Sequence, residues 1–196
     1  MALITHFNTR LADTPVDELF LTRWSPRSFD STYVMTQDEL NTLLESARWS
    51  WSSNNLQPWR YVYGLKGSPS FKQILSCLTG GNQSWAERAS CLMLILAKTT
   101  KQDGMVNTSA LFDTGAATMS MSLQAKLLGL VDHHMGGMDR ILAKASFCIP
   151  DDYSIHCISA IGKLGNPNQL NEHDQQRELP NTRLPIKDLA KTMFDF

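Results

Sequence analysis

Hydrophobic and polar positions alternate along this chain in short, clearly punctuated blocks. The plainest block opens with Thr36 and Glu39, spaced as a capping box, and continues with Leu40, Leu43, Leu44 and Ala47 on one helical face. Upstream, Thr14 as cap and Pro15 at the first helical position predict a short helix over 15–21. Residues 23–28 carry Pro26 among cationic and hydroxyl side chains and read as loop. Residues 49–58 are a Ser/Asn-rich loop, and the aromatic content of 59–63 predicts a strand. Ser68-Pro69 starts a helix that runs to about Cys77, where Gly80-Gly81 is expected to break it.

The apolar run 91–97 is short enough for a strand covered on both faces, in mid-sheet. Residues 113–130 carry charge only at Asp113 and Lys126, are crowded with small side chains and end at Gly129-Leu130, as a tightly packed central helix would. Thr, Ser and Gln interrupt this stretch too often for a membrane span. Residues 155–161 predict the last strand, closed by Gly165-Asn166-Pro167, before a charged helical stretch and a proline-bracketed tail over 179–185. Strands mixed with longer helices give an α+β (mixed α/β) class, and no repeat or linker divides residues 1–196, so one domain is expected.

Composition narrows the function classes. Eighteen Lys+Arg against 19 Asp+Glu leave a formal charge of −1, which gives no bulk attraction to nucleic acid or to an anionic membrane. Cys77, Cys91, Cys148 and Cys157 form no C-x-x-C pair and no zinc spacing with histidines; two lie in apolar runs, as buried free thiols would. Residues 1–10 hold only a four-residue apolar stretch, so a cytoplasmic, reduced protein is expected. No G-x-G-x-x-G or Walker-type loop supports a Rossmann or P-loop site.

Three segments offer chemistry. Arg23, Ser25 and Arg27, with Trp24 among them, present two guanidinium forks and a hydroxyl suited to a phosphate; the same pattern also serves as a solvated basic turn. Ser52-Ser53-Asn54-Asn55-Leu56-Gln57-Pro58-Trp59 carries amides able to satisfy a heterocycle or a polyol, or simply its own backbone. His133-His134-Met135-Gly136-Gly137-Met138-Asp139 has paired glycines that permit close backbone approach to a ligand, or a turn that needs positive φ. The adjacent histidines lack a third, suitably spaced metal ligand.

Taken in order, these segments resemble the nitroreductase family of FMN-dependent oxidoreductases. The likeness runs from R-x-S-x-R through S-S-x-N-x-Q-P-W, the Gly81-Asn82…Trp85 turn and Asp113-x-Gly-Ala to Gly-Gly-Met-Asp and Arg183. It implies a mixed sheet surrounded by helices and an intertwined homodimer holding FMN at its interface. It further implies that Arg23, Trp24, Ser25 and Arg27 grip the phosphate and the pyrimidine edge, and that Ser53, Asn55 and Gln57 lie on a loop reaching the flavin of the other subunit. Asn82 would meet the pyrimidine ring, Gly136 and Gly137 would face the reactive ring atoms, and Arg183 would be a second phosphate ligand. The chain departs from the pattern at Trp51, where proline is usual, at Asn181, where a cation is common, and at Trp85, where some members have lysine.

The activity so implied moves hydride or electrons from NADH or NADPH to a small organic acceptor such as a nitroaromatic or a quinone, by a substituted-enzyme (ping-pong) mechanism. Arg27 would stabilise negative charge on the reduced ring and Gly136 and Gly137 would orient it, with no metal required. Rival readings are flavin fragmentation or ring oxidation on the same scaffold, and a non-catalytic flavin-binding protein. The polar stretch 99–107 is either a lid or a plain connector.

Overall fold

The computed structural model describes residues 10–193; residues 1–9, most of the stretch from which the cellular compartment was inferred, lie outside them. Four strands form a sheet of order β1-β2-β4-β3, with β1 Trp59–Leu65, β2 Cys91–Lys98, β3 Val131–Met135 and β4 Tyr153–Gly162. All three pairings are antiparallel. The α+β class is therefore as expected, while the parallel component of a mixed sheet is absent among the described residues. β2 is central, and seven of its eight residues are buried, as its unbroken apolar run requires.

Helices cover both faces. On one, α2 (Gln37–Arg48) and α5 (Ala110–Leu127) bring Leu40, Leu43, Ala117 and Met121 against Cys91, Met93, Ile95 and Ile161. On the other, α3 (Pro69–Ser76), α4 (Gly80–Ala86) and α6 (Arg140–Ser146) pack Phe71, Ile74, Trp85 and Ala143 against Leu92, Leu94 and Ile158. The capping box of α2 forms as read: Thr36 Oγ1 accepts from Glu39 N, and the Glu39 carboxylate accepts from Thr36 N. Gly129, at φ 71° just past α5, ends that helix with a conformation that suits glycine.

Four expectations are corrected. Helix α1 spans Glu18–Thr22 and is capped by Asp17, whose side chain accepts from Leu19 N, so Thr14 and Pro15 lie outside it. Gly80 and Gly81 open α4 instead of ending structure; they occupy its first turn, where the backbone N–H groups have no intrahelical partner in any case. Residues 131–135 are an edge strand, not part of a turn, and α6 follows it unannounced. Cys91 is buried but Cys157 only half-buried, and all four cysteines are free.

Short elements complete the chain: α7 (Glu172–Gln176) and α8 (Ile186–Leu189) on the C-terminal segment. Among the described residues no helix is long and apolar enough to cross a membrane, and no group of three or more His, Cys, Asp or Glu is placed to hold a metal ion. The stretch 99–107 is a tight excursion closed by the Thr100–Val106 bridge and by Asn107 N donating to Thr99 O at 2.7 Å, and it lines neither cavity described below.

Candidate functional site

The loop after α1 turns inward at Pro26 and Ser28, both buried, which leaves Arg23, Trp24, Ser25 and Arg27 along one wall of a cavity of about 360 Å³. The opposite wall comes from the C-terminal segment: Arg177, Leu179, Asn181 and Arg183. Arg10 and His133 complete it. Five arginines thus converge with no carboxylate among the lining residues. Burial, with Arg183 and Arg23 beside it, lowers the pKa of Arg10; burial and Arg177 lower that of Arg27, against the pull of Glu178 and Asp174. Burial is the larger cause in both, and the neighbouring arginines add repulsion that an anion would relieve.

Specific bonds hold the wall. Arg10 donates to Asn181 O at 2.9 Å, Leu21 O at 2.9 Å and Arg23 O at 2.7 Å, tying three segments together. Arg27 donates to Arg177 O at 3.3 Å and lies 3.8 Å from the Asp174 carboxylate. The buried Glu178 carboxylate accepts from the backbone N–H of both Arg27 and Ser28, fixing the loop from beneath. Arg23 and Arg177 make no side-chain hydrogen bond or ion pair among the described residues, so their donors are free for a ligand. Sequence reading missed Arg10, Arg177 and Glu178, which only the tertiary fold brings to the loop. Arg10 also answers the departure at Asn181, since it holds that residue's carbonyl and supplies a cation at the same wall.

A second cavity, of about 300 Å³, shares Arg27 and Arg177 with the first. Thr79, Gly81, Asn82, Trp85, Asn171 and His173 are among its remaining lining residues. Asn82 lies in helix α4, not in a turn, and its amide donates to Gly137 O at 3.2 Å. Thr79 donates to the same carbonyl from N at 3.1 Å and from Oγ1 at 3.2 Å. Neither Gly136 nor Gly137 has a positive φ, which removes the turn explanation for this pair. A Cβ on Gly137 would lie 2.8 Å from Asn82 Nδ2, so close approach explains that glycine; Gly136 faces open space. Trp85, 1% exposed, stacks on Phe29 and meets the His133 ring at 4.7 Å between centroids.

The predicted set therefore divides. Arg23, Trp24, Ser25, Arg27, Arg183 and Asn82 line one or other of the two neighbouring cavities, with Gly137 bonded to Asn82. Ser53, Asn55 and Gln57 do not line either one: their loop precedes β1, at the sheet edge opposite β3. Ser53 N donates to the buried Asp113 carboxylate at 3.1 Å, and Gln57 bonds Ser52 and Asn55 within the loop. Asn54, Asn55 and Gln57 all have φ between 46° and 55°, three left-handed non-glycine residues on one mostly exposed loop. Such strain is held by Asp113 and by the local bonds.

Comparison with known proteins bears on the family and the fold. The family described as "Nitroreductase family" matches residues 21–64, which include the Arg23–Arg27 wall and the Ser53–Gln57 loop. A crystal structure described as an oxidoreductase containing FMN is 37% identical, superposes with a TM-score of 0.92, and the match covers 96% of this chain and 97% of that one. The structure of a candidate nitroreductase from Exiguobacterium sibiricum 255-15, in complex with FMN, has the same fold at 21% identity and a TM-score of 0.73, over 94% of this chain and 100% of that one. A protein of Staphylococcus saprophyticus named as a candidate NAD(P)H nitroreductase is 32% identical over 90 residues, a stretch that takes in 46% of this chain and 40% of that relative's length. Likeness along nearly the whole fold, together with a family match over the segment that builds the cationic wall, means that the chain belongs to the nitroreductase family.

Proposed function

We propose that this chain binds FMN and works as an oxidoreductase that takes electrons from NADH or NADPH and passes them to a small organic acceptor. One observation carries the reading: five arginines surround a cavity without a carboxylate in its lining, and that cavity shares Arg27 and Arg177 with a second one whose lining includes Asn82 and Trp85. Guanidinium forks suit the oxygens of a phosphomonoester, and an amide beside an aromatic wall suits a planar heterocycle. Each cavity alone sits at the lower end of the roughly 300–1,000 Å³ usual for small-molecule sites, so one ligand spanning both is a reasonable fit.

When bound, FMN supplies reversible hydride and electron transfer. The chain's residues bind and orient it. Arg23, Arg177 and Arg183 would hold the phosphate, and Arg10 would add charge while keeping the wall together. Arg27, at the junction, would be a fixed cation toward the ring, where preorganised charge stabilises developing negative charge without reorganisation. Asn82, its amide set by Gly137 O, would meet a polar ring edge, with Gly136 and Gly137 bordering the same region.

A homodimer is part of the proposal. Helix α5 packs one side against the sheet and leaves four large apolar side chains, Leu111, Phe112, Met119 and Leu127, exposed. A helix of that kind calls for cover on both faces. A second copy of the chain would supply that cover, and its Ser53–Gln57 loop would be free to reach across to the other subunit's cavity.

An FMN titration followed by anaerobic mixing with NADH or NADPH, then with a quinone or a nitroarene, tests the reading. Expected are a flavin absorption band, its bleaching by one of the donors and its return with the acceptor. Protein that takes up no FMN, or holds FMN that neither donor bleaches, refutes it.

A further inference from the structure

The proposed function gives the phosphate and the ring a cavity each and leaves the segment between them without a partner. His133 stands at that junction. It lines the arginine cavity, and its ring packs on Trp85, which lines the other. His133 Nδ1 is 2.9 Å from Pro26 O. A carbonyl can only accept, so Nδ1 carries the proton and a neutral ring keeps its free lone pair on Nε2. Burial is the main reason the ring stays neutral: it pushes the pKa down to about 4, with Arg27 helping and the Pro26 bond opposing. Nε2 has no hydrogen-bond partner among the described residues and is not one of the buried orphaned atoms, and the residue that carries it lines the cavity.

The surroundings give that lone pair meaning. Arg10, Arg23, Trp24, Arg27, Arg177 and Arg183 line the same cavity, and their side chains can only donate. Most polar side chains of this wall only donate, and His133 Nε2 joins the Ser25 hydroxyl and the Asn181 amide oxygen as one of its few acceptors. A phosphate oxygen or a ring carbonyl gains nothing from it; a hydroxyl does. In FMN the groups between phosphate and ring are the hydroxyls of the ribityl chain.

We propose that His133 Nε2 accepts a hydrogen bond from a hydroxyl of the ligand's polyol linker, which makes His133 a positioning residue selective for a hydroxylated linker. This rests on the FMN reading. The test titrates flavin-free wild type, His133→Phe and His133→Gln with FMN and with a flavin whose ring and phosphate are joined by an unsubstituted alkyl chain, following flavin fluorescence. FMN should bind about tenfold more weakly to His133→Phe, the loss of one buried hydrogen bond, and most of the affinity should return in His133→Gln, whose amide oxygen accepts. The alkyl analogue should bind wild type and His133→Phe alike. Equal FMN affinity in wild type and His133→Phe overturns the proposal, as does an equal loss for the analogue, which would mark a packing role. Wild type that binds the alkyl analogue as tightly as FMN overturns the linker contact but keeps the FMN reading; wild type that binds neither flavin ends both.

Discussion

Glu178 holds Ser28 through a single carboxylate oxygen, which accepts the backbone N–H at 2.7 Å and the hydroxyl at 2.5 Å. The same carboxylate accepts from Arg27 N at 2.9 and 2.8 Å. A residue from the C-terminal segment thereby sets the shape of a loop 150 positions earlier, and the cationic wall depends on that shape.

Glu178→Ala should therefore lower both stability and cofactor occupancy. Hydrogen bonds to a charged group are worth roughly 1.5–3 kcal/mol, and the substitution leaves buried backbone donors without a partner. Calorimetry should register a clear drop in Tm, and Glu178→Gln, which keeps an acceptor oxygen, should lose less. Unchanged melting in Glu178→Ala would mean that the loop is held by other contacts.

Removing one free arginine of the wall should act on the phosphate and not on the ring. Arg23→Ala or Arg177→Ala should weaken FMN binding about tenfold or more, by the loss of a charge-assisted contact, with little change for riboflavin. Wild-type affinity for FMN should also fall as salt rises. Parallel losses for FMN and riboflavin would put the phosphate somewhere else.

Stability should fall on the alkaline side through a buried pair beneath α5. Asp132, 2% exposed, lies 2.9 Å from His134 Nε2, and the Ser122 hydroxyl bonds both. Burial opposes the charged imidazole, but the Asp132 contact, with Cys157 nearby, raises the His134 pKa from its ordinary 6.5 to about 9. Protonation thus favours the folded state: the contribution is full below pH 6.5 and is lost as pH rises through about 9. Asp132 has the opposite sign, its pKa held below the ordinary value by His134 and Ser122 despite burial, so its contribution disappears only in acid. Melting temperatures from pH 7 to 10 should decline more steeply in wild type than in His134→Gln; parallel curves would exclude the pair as the cause.

Much of this fold was legible because the controlling signals are local. Thr36 and Glu39 announce α2 within four residues, and the apolar run of β2 states its own burial. β3 was not, since Asp132, His133 and His134 look like loop chemistry until Ser122, ten positions earlier, is seen to satisfy two of them. Arg23, Arg27 and Arg183 were legible as a set only through family likeness, and Arg10 and Arg177 were not, because nothing nearby in sequence sets them apart from surface arginines. The Ser53–Gln57 loop, which the resemblance assigns to the flavin of the other subunit, lies away from both cavities of its own chain.

The homodimer reading makes Phe112 a sensitive position. Its ring is 71% exposed and lies 5.0 Å from that of Trp51, itself 58% exposed. A paired aromatic surface of this kind is typical of interface anchors. Phe112→Glu, or Met119→Glu on the same helix, should halve the mass measured by light scattering while circular dichroism stays unchanged. A wild-type protein that is already monomeric, or variants that remain dimeric, would move the interface off α5.

The two adjacent glycines should behave differently, and the difference isolates Asn82. A Cβ at Gly137 would lie 2.8 Å from Asn82 Nδ2 and 3.1 Å from Thr79 Oγ1, whereas one at Gly136 meets nothing within 4 Å. Neither residue needs a left-handed backbone, so alanine is sterically limited only at Gly137. The atoms in the way there belong to side chains, which can move, so Gly137→Ala should fold but displace the Asn82 amide from the second cavity. Flavin affinity should drop severalfold, about 1 kcal/mol for one hydrogen bond, while Gly136→Ala leaves it unchanged. Asn82→Ala should produce a similar loss, and combining it with Gly137→Ala should add little, because both act on the same contact. Additive losses in the double variant would show that Gly137 meets the ligand through its own backbone instead.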